Sequence, residues 1–283
     1  MIKTAFAATL AVLFTFCAPA NAQFTYTPKS SDEVGLYLGT QIWQSEASGS
    51  LGEENMLIDF NLKKEQQIHF FIDVKHPLSF LPNARITKTT VDTSGKTTLT
   101  QKFSFIDKNF PTGNDVEAGF NVNYVDYTLY YELLNNKTFS VELGLTARDL
   151  NGDADFTGII KGTDSCNDSN PAPDSPCTDE SESTISIGKV KTDTITPMLY
   201  LASHISLPFP DLSAFAQANV LSIKNHTLSD YQIGFNYELM KIMMMDVNLN
   251  LGYRVVNMEL KNLNSLYTDL EFKGAFVGMV THF

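Results

Sequence analysis

Five histidines are the side chains in this sequence able to exchange a proton near neutral pH: His69, His76, His204, His226 and His282. A hydrolytic site would require a nucleophile within hydrogen-bond reach of one of them and an acid to hold the ring in place. Three spacings approach that requirement. His69 precedes Asp73, His204 precedes Ser206, and His226 is followed by Ser229 and Asp230. His76 sits in a Pro-rich turn and His282 beside the last residue, so neither is a catalytic candidate. The first two pairs place both members on one face of an extended segment, where they are ordinary interior polar groups. The third matches the polarity of a strand rim. The expected role is non-enzymatic, with a hydrolase working at the rim around His226 as the alternative. No cofactor motif is present, and none is expected.

A second candidate for chemistry is the acidic stretch between Asp149 and Glu182. Asp149, Asn151, Asp153 and Asp155 put oxygen ligands at alternate positions, as calcium loops do. A calcium loop of the EF-hand kind also requires Gly at its sixth place and Glu at its twelfth. Here those places hold Ala154 and Ile160, so the stretch reads as solvated loop and no metal is expected. Within it lie Cys166 and Cys177. They are the only cysteines left once a leader ending at Ala22 is removed. In an exported chain such a pair should join as a structural disulfide, adding about 3 kcal/mol at most.

The elements that would position these residues follow one rule. Ile68, Phe70, Ile72 and Val74 alternate with His69, Asp73 and Lys75; Val125, Tyr127, Leu129, Tyr131 and Leu133 alternate with Asp126, Thr128, Tyr130 and Glu132. The same pattern runs through Phe139 to Arg148, Asp230 to Leu239 and Val247 to Val255. Period two of this strictness puts one face against an apolar medium and the other against a polar one. After the leader there is no apolar run of about 18 residues, so no transmembrane helix is expected. A strand of about 9–11 residues suffices to cross a bilayer when tilted. Connections alternate between short ones, such as His76 to Asn83, and long ones, such as 150–193. The chain ends on Phe283 after an alternating segment through Ala275, Val277, Met279 and Thr281.

Together these point to an all-β, closed antiparallel transmembrane β-barrel of about ten strands, with eight or twelve as alternatives. Leu57 to Leu62 and Leu99 to Ile106 are short alternating pieces that would either extend strands above the membrane or raise the count to twelve. Residues 1–22 read as a secretory signal peptide cleaved after Ala20-Asn21-Ala22, and 23–283 as the barrel. The expected location is the Gram-negative outer membrane, with both termini in the periplasm. Expected partners are its lipids and lipopolysaccharide, plus the barrel-assembly machinery, for which Phe283 would be the signal, and periplasmic chaperones. The net charge of −12 argues against nucleic acid. A soluble, lipocalin-like periplasmic binder would show similar periodicity and stays open. The inward charges Asp73, Arg85, Asp126, Glu132, Glu142, Arg148, Asp230, Glu238 and Arg254 should form a polar network across a narrow lumen. Asp73 and Arg85, on adjacent strands, should lie within reach of each other. The network would act as a plug or, because acids outnumber bases, as a narrow cation-preferring pore. The role left to such a barrel is structural, small-solute permeation or surface interaction.

Several segments resemble a family of small Gram-negative outer-membrane β-barrel proteins whose biochemical role is not established. They are Val34 to Trp43 (VGLYLGTQIW), Lys75 to Ile86 (KHPLSFLPNARI), Tyr127 to Leu133 (YTLYYEL) and Leu143 to Arg148 (LGLTAR). Pro197 to Tyr200, Leu207 to Phe209, Leu228 to Tyr231 and Asp269 to Phe283 follow in the same order. The resemblance covers nearly the whole chain after the leader and implies location and fold, not activity.

Overall fold

The computed structural model describes residues 35–160 and 184–283, apart from 54–55, 79, 106–107, 137, 224–225, 243–244 and 264–265. The expected signal peptide and both cysteines, Cys166 and Cys177, lie outside the described residues.

Alternation of the kind above can satisfy every backbone group only if the sheet closes on itself. It does so through ten antiparallel strands. In chain order these are β1 (Gly35–Glu53), β3 (Lys64–Lys75), β4 (Asn83–Thr98), β7 (Asp115–Asn135) and β8 (Phe139–Ile160). They continue with β9 (Thr184–Ser206), β10 (Leu212–Ile223), β11 (His226–Ile242), β12 (Met245–Leu263) and β13 (Leu266–His282). Each pairs with the next, and β13 returns to β1 from Tyr37↔His282 to Gly52↔Tyr267. The two short pieces noted in the sequence add no further crossing. β2 (Met56–Asp59) folds back on the far end of β1 and extends the same sheet beyond β3, whereas β5 (Phe103–Phe105) pairs only with β6 (Lys108–Phe110).

The strands are longer than a bilayer requires. β7, β8 and β9 hold 21, 22 and 23 residues, about twice the crossing length. Segments expected as loop are therefore wall. β8 and β9 stay paired to Ile160↔Thr184, so 150–160 and 184–193 belong to strands, and only 161–183 intervenes. Asp149, Asn151, Asp153 and Asp155 share the outer face of an extended strand rather than curling around an ion. No metal-binding cluster exists among the described residues.

The extra length goes with a reversal of polarity partway along β7, β8 and β12. On β7 the inward residues near the end that carries Gly35 and Phe283 are Asp126, Thr128, Tyr130 and Glu132; farther along the same face come Val116, Ala118, Phe120 and Val122. The outward face reverses in step, from Val125, Tyr127, Leu129, Tyr131 and Leu133 to Glu117, Asn121 and Asn123. β8 does the same, with Glu142, Thr146 and Arg148 giving way inward to Leu150, Ala154 and Phe156. On β12, Asn250 and Arg254 give way to Val256, Met258 and Leu260. Side-chain parity holds through the reversal on these strands, the register shifts lying nearer their ends; only the chemistry inverts.

The near half therefore shows apolar side chains outside, including Leu145 at 69% exposure and Ile233 at 60%. The far half has an apolar core inside and polar residues outside. The expectation of a hydrophilic interior holds for the near half alone. Period-two patterns cannot show this, because either arrangement gives the same alternation.

The far core is sealed from above by rings. Phe105 and Phe156 have centroids 4.4 Å apart, Phe60 and Phe156 5.4 Å, and Phe103 and Phe110 5.7 Å. All five are fully buried. Phe60 enters because β4 carries Gly95 at the crossing: a Cβ there would sit 2.3 Å from the Phe60 carbonyl oxygen. Asn61, with φ of 51°, then turns the chain away, its amide held by Asp59 Oδ1 at 2.8 Å.

Candidate functional site

Below the apolar core the interior is filled by two charged layers. In the upper one, Arg148 donates to Asp126 through Nε at 2.7 Å and Nη2 at 2.8 Å, and to Asp230 at 2.9 Å. Arg254 grips the same Asp230 through Nε at 2.9 Å and Nη2 at 2.8 Å. Tyr124 donates its hydroxyl to Asp230 at 3.0 Å, and its ring lies 3.9 Å beneath the Arg148 guanidinium. Two arginines thus face two aspartates, so the layer is neutral, and each forked pairing is of the strong charge-assisted kind. Arg148 is completely buried.

The lower layer starts from a register fact. Asp73 on β3 stands directly opposite Arg85 on β4. Arg85 Nη2 and Nε reach Asp73 Oδ2 at 2.6 and 3.1 Å. Its remaining nitrogen Nη1 crosses the lumen to Tyr200 and Gln217, both at 2.8 Å. Tyr130 donates to Asp73 Oδ1 at 2.7 Å, and Tyr200 to Glu142 at 2.8 Å. Lys75 closes the ring, donating to Glu142 at 2.7 Å and Glu132 at 2.5 Å. A barrel of this size has room for side chains rather than a channel, and these hydrogen bonds tie β3, β4, β7, β8, β9 and β10 across it.

Eight of the nine inward charges named from the sequence fall into these layers. Glu238 does not: it lies nearer the open end, 4.0 Å from Lys241. Sequence reasoning passed over Lys75, Tyr124, Tyr130, Tyr200 and Gln217 as network members. Each shares the inward parity of a named charge, which was the available signal. A tyrosine counts as apolar in a periodicity scan, although its hydroxyl serves the lumen.

Among the described side chains the histidine candidates assemble no hydrolytic site; the side chain of His226 lies outside them. Ser229 and Asp230 are consecutive on β11 and project to opposite faces. Ser229 accepts a hydrogen bond from Asn257 at 3.0 Å, and Asp230 is taken by the two arginines. His69 bonds Thr89 Oγ1 at 2.7 Å inside the lumen, while Asp73 is held by Arg85 and Tyr130. His204 stacks on Phe215 at 6.1 Å.

Below the lower layer the interior opens into a cavity of about 800 Å³ on the side of the barrel that carries Gly35 and Phe283. Its walls include Tyr37, Phe71, Phe215, Gln41, Gln232 and Asn250, and its mouth lies among His76, Asn136, Lys241 and Phe283.

No family model matches the sequence, and no curated protein matches it. Solved structures do. The outer membrane protease OmpT from Escherichia coli matches at 9% identity and TM-score 0.49, over 88% of this chain and 96% of that one. The transport unit of the E. coli autotransporter AIDA-I matches at 8% identity and TM-score 0.38, over 98% and 96%. The Pseudomonas putida toluene transporter TodX matches at 9% identity and TM-score 0.25, over 88% and 89%. Similarities of this strength carry neither a family nor an activity to this chain.

Proposed function

We propose that this protein is an outer-membrane β-barrel of Gram-negative bacteria with a non-enzymatic, structural and surface-interaction role, its interior packed as a plug. The observation that carries it is the reversal of polarity along continuous strands. The near half offers hydrocarbon an outer belt about nine residues tall, from Val125 to Leu133 on β7. The far half is built for water on its outside. Outward tyrosines border the belt, with Tyr127, Tyr231 and Tyr253 at its upper edge and Tyr131 and Tyr237 below, the placement typical of bilayer interfaces. This orientation sets both termini in the periplasm and the far half above the cell surface. A lipocalin-like soluble barrel is disfavoured by the exposed belt.

Two layers of buried ion pairs and an apolar core above them oppose the permeation reading, because ions would have to displace buried, paired groups at each level. The matching partners are outer-membrane lipids, lipopolysaccharide at the upper rim, and the assembly machinery and chaperones during export, with Phe283 as the terminal signal. The leader 1–22 and a Cys166–Cys177 disulfide belong to the same proposal. The test is reconstitution of the chain from Gln23 into planar bilayers. No steady conductance is expected at moderate salt; a reproducible open channel would overturn the plug. Protein that stays dispersed without detergent would overturn the membrane assignment.

A further inference from the structure

The upper wall steps down at β10. β9 and β10 pair from Ser213↔Ser206 to Val220↔Leu199, and β10 ends at Ile223. β9 runs on past it, in step with β8 as far as Ile160↔Thr184. Among the described strands, β8 is the one neighbour of β9 over 184–198. A strand edge so placed is a template for an added strand.

Pro197 shows which backbone groups face that edge. A proline has no N–H to give to β8, yet Pro197 stands opposite Ala147 in an unbroken ladder. Its nitrogen therefore points away from β8. Backbone groups alternate in direction along a strand, so those of Lys189, Asp193 and Ile195, at the same parity, also point to the edge. The side chains agree. Ile195 is 72% exposed. Thr192 and Thr194 face inward yet are only half-buried, whereas Leu150, opposite Thr194 on β8, is fully buried. The inner face is covered as far as β8 and open along the flank of β9.

The outward side chains say which strand fits. Lys189, Lys191 and Asp193 follow one another at alternate positions, all exposed. Opposite charges directly across a strand pair stabilise it, and like charges destabilise it. The matching antiparallel strand carries acidic residues opposite Lys189 and Lys191 and a basic residue opposite Asp193. Lys189 has Asp153 at 3.7 Å on its β8 side, but side-chain exposures of 53% and 35% make that a weak pair. A lysine between two carboxylates is used elsewhere in this molecule, where Lys75 bridges Glu132 and Glu142.

We propose that the upper edge of β9 docks an extended segment of a partner protein, acidic at alternate positions, as an added antiparallel strand above β10. This gives the surface-interaction role proposed above a place and a partner class, and it rests on that reading only for the side of the membrane the edge faces. Binding by purified protein does not depend on that orientation.

The experiment uses the chain from Gln23, folded in a zwitterionic detergent, with folding verified by heat-modifiable gel migration. The probe is a capped peptide, Val-Thr-Lys-Thr-Glu-Val-Glu, carrying an uncharged fluorophore and read by fluorescence anisotropy. Its first residue falls opposite Ile195 and its last opposite Lys189. One comparator is the charge-reversed peptide Val-Thr-Glu-Thr-Lys-Val-Lys. The other is the probe N-methylated at its third and fifth residues, whose amides would face β9. Saturable binding is expected for the probe, and at least tenfold weaker binding for both comparators. Lys189→Glu combined with Lys191→Glu should weaken the probe at least tenfold and reverse the preference between the first two peptides. Asp193→Pro removes an edge N–H while leaving the ladder with β8 intact, as Pro197 does, and should weaken the probe as well. Folded protein that does not bind the probe would overturn the proposal. Equal binding of the N-methylated peptide would also overturn it, by showing charge attraction alone, and so would variants that bind unchanged. A steady conductance in bilayers would sink the plug yet leave this edge standing.

Discussion

Replacing Arg148 by Met tests the upper charge layer most directly. Arg148 is 0% exposed and supplies both hydrogen bonds that Asp126 accepts, at 2.7 and 2.8 Å. Asp230 would retain Arg254 and Tyr124, but Asp126 would be left as a buried carboxylate without a counter-charge. Breaking one side of such a pair costs about 3–5 kcal/mol, whereas replacing both sides by apolar groups of similar volume is often close to neutral. The Arg148→Met single variant should therefore lose about 4 kcal/mol, and Asp126→Leu with Arg148→Met should recover most of it. With a urea dependence of about 2 kcal/mol per M, the single variant's midpoint falls by roughly 2 M. The assay is equilibrium urea unfolding in lipid vesicles, followed by Trp43 emission and gel migration. A single variant within about 1 kcal/mol of the parent would refute the reasoning, and so would a double variant no better than the single.

Other outcomes follow from the polarity reversal and the ring cluster. Leu145→Arg, on the outer face within the belt, should cost about 2–4 kcal/mol in vesicles, while Asp153→Arg on the same face of the same strand should stay within about 0.5 kcal/mol; equal costs would contradict two different surroundings. Phe156→Ala removes contacts with Phe60, Phe103 and Phe105 and should cost about 3–5 kcal/mol, with faster amide exchange on β5 and β6; unchanged exchange would show that the rings do not hold that hairpin. Partial burial, followed by the charges of Glu65 and Asp153, holds the Asp92 carboxyl above its ordinary range. The folded state therefore keeps this proton longer than the unfolded chain, so the contribution of Asp92 to stability is greatest below the ordinary carboxylate range and is lost as pH rises through the raised value. Asp92→Asn should flatten that part of the pH–stability curve, and a steeper curve would count against the assignment.

The ten-strand wall was legible in the sequence because its cues are local. Alternation through Ile68 to Val74 or Val125 to Leu133 needs no knowledge of distant residues. The pairing of Asp73 with Arg85 was legible for a related reason, since a short turn between adjacent strands sets their register. The reversal was hidden in the same signal. Leu150, Ala154 and Phe156 alternate with Asp149, Asp153 and Asp155 as cleanly as Leu143 and Leu145 do with Glu142 and Thr146. What distinguishes them is which parity faces inward, and only the closed sheet decides that. The acidic composition of 149–155 then passed for loop, though those residues are the watered face of a strand. Contacts across the lumen, such as Arg85 to Gln217, join residues far apart in sequence through the curvature of the wall, which no periodicity encodes.

The reversal also has a thermal consequence. When the chain unfolds within a lipid or detergent phase, the outer belt of the near half exchanges one hydrocarbon contact for another. The far core, from Leu51 and Phe120 to Met258 and Phe272, is released into water instead. Hydration of apolar surface is what gives unfolding its positive heat capacity, so that quantity should reside almost wholly in the half outside the bilayer. Cooling should loosen the far half before the near one, so this end of the molecule responds to winter as well as to heat.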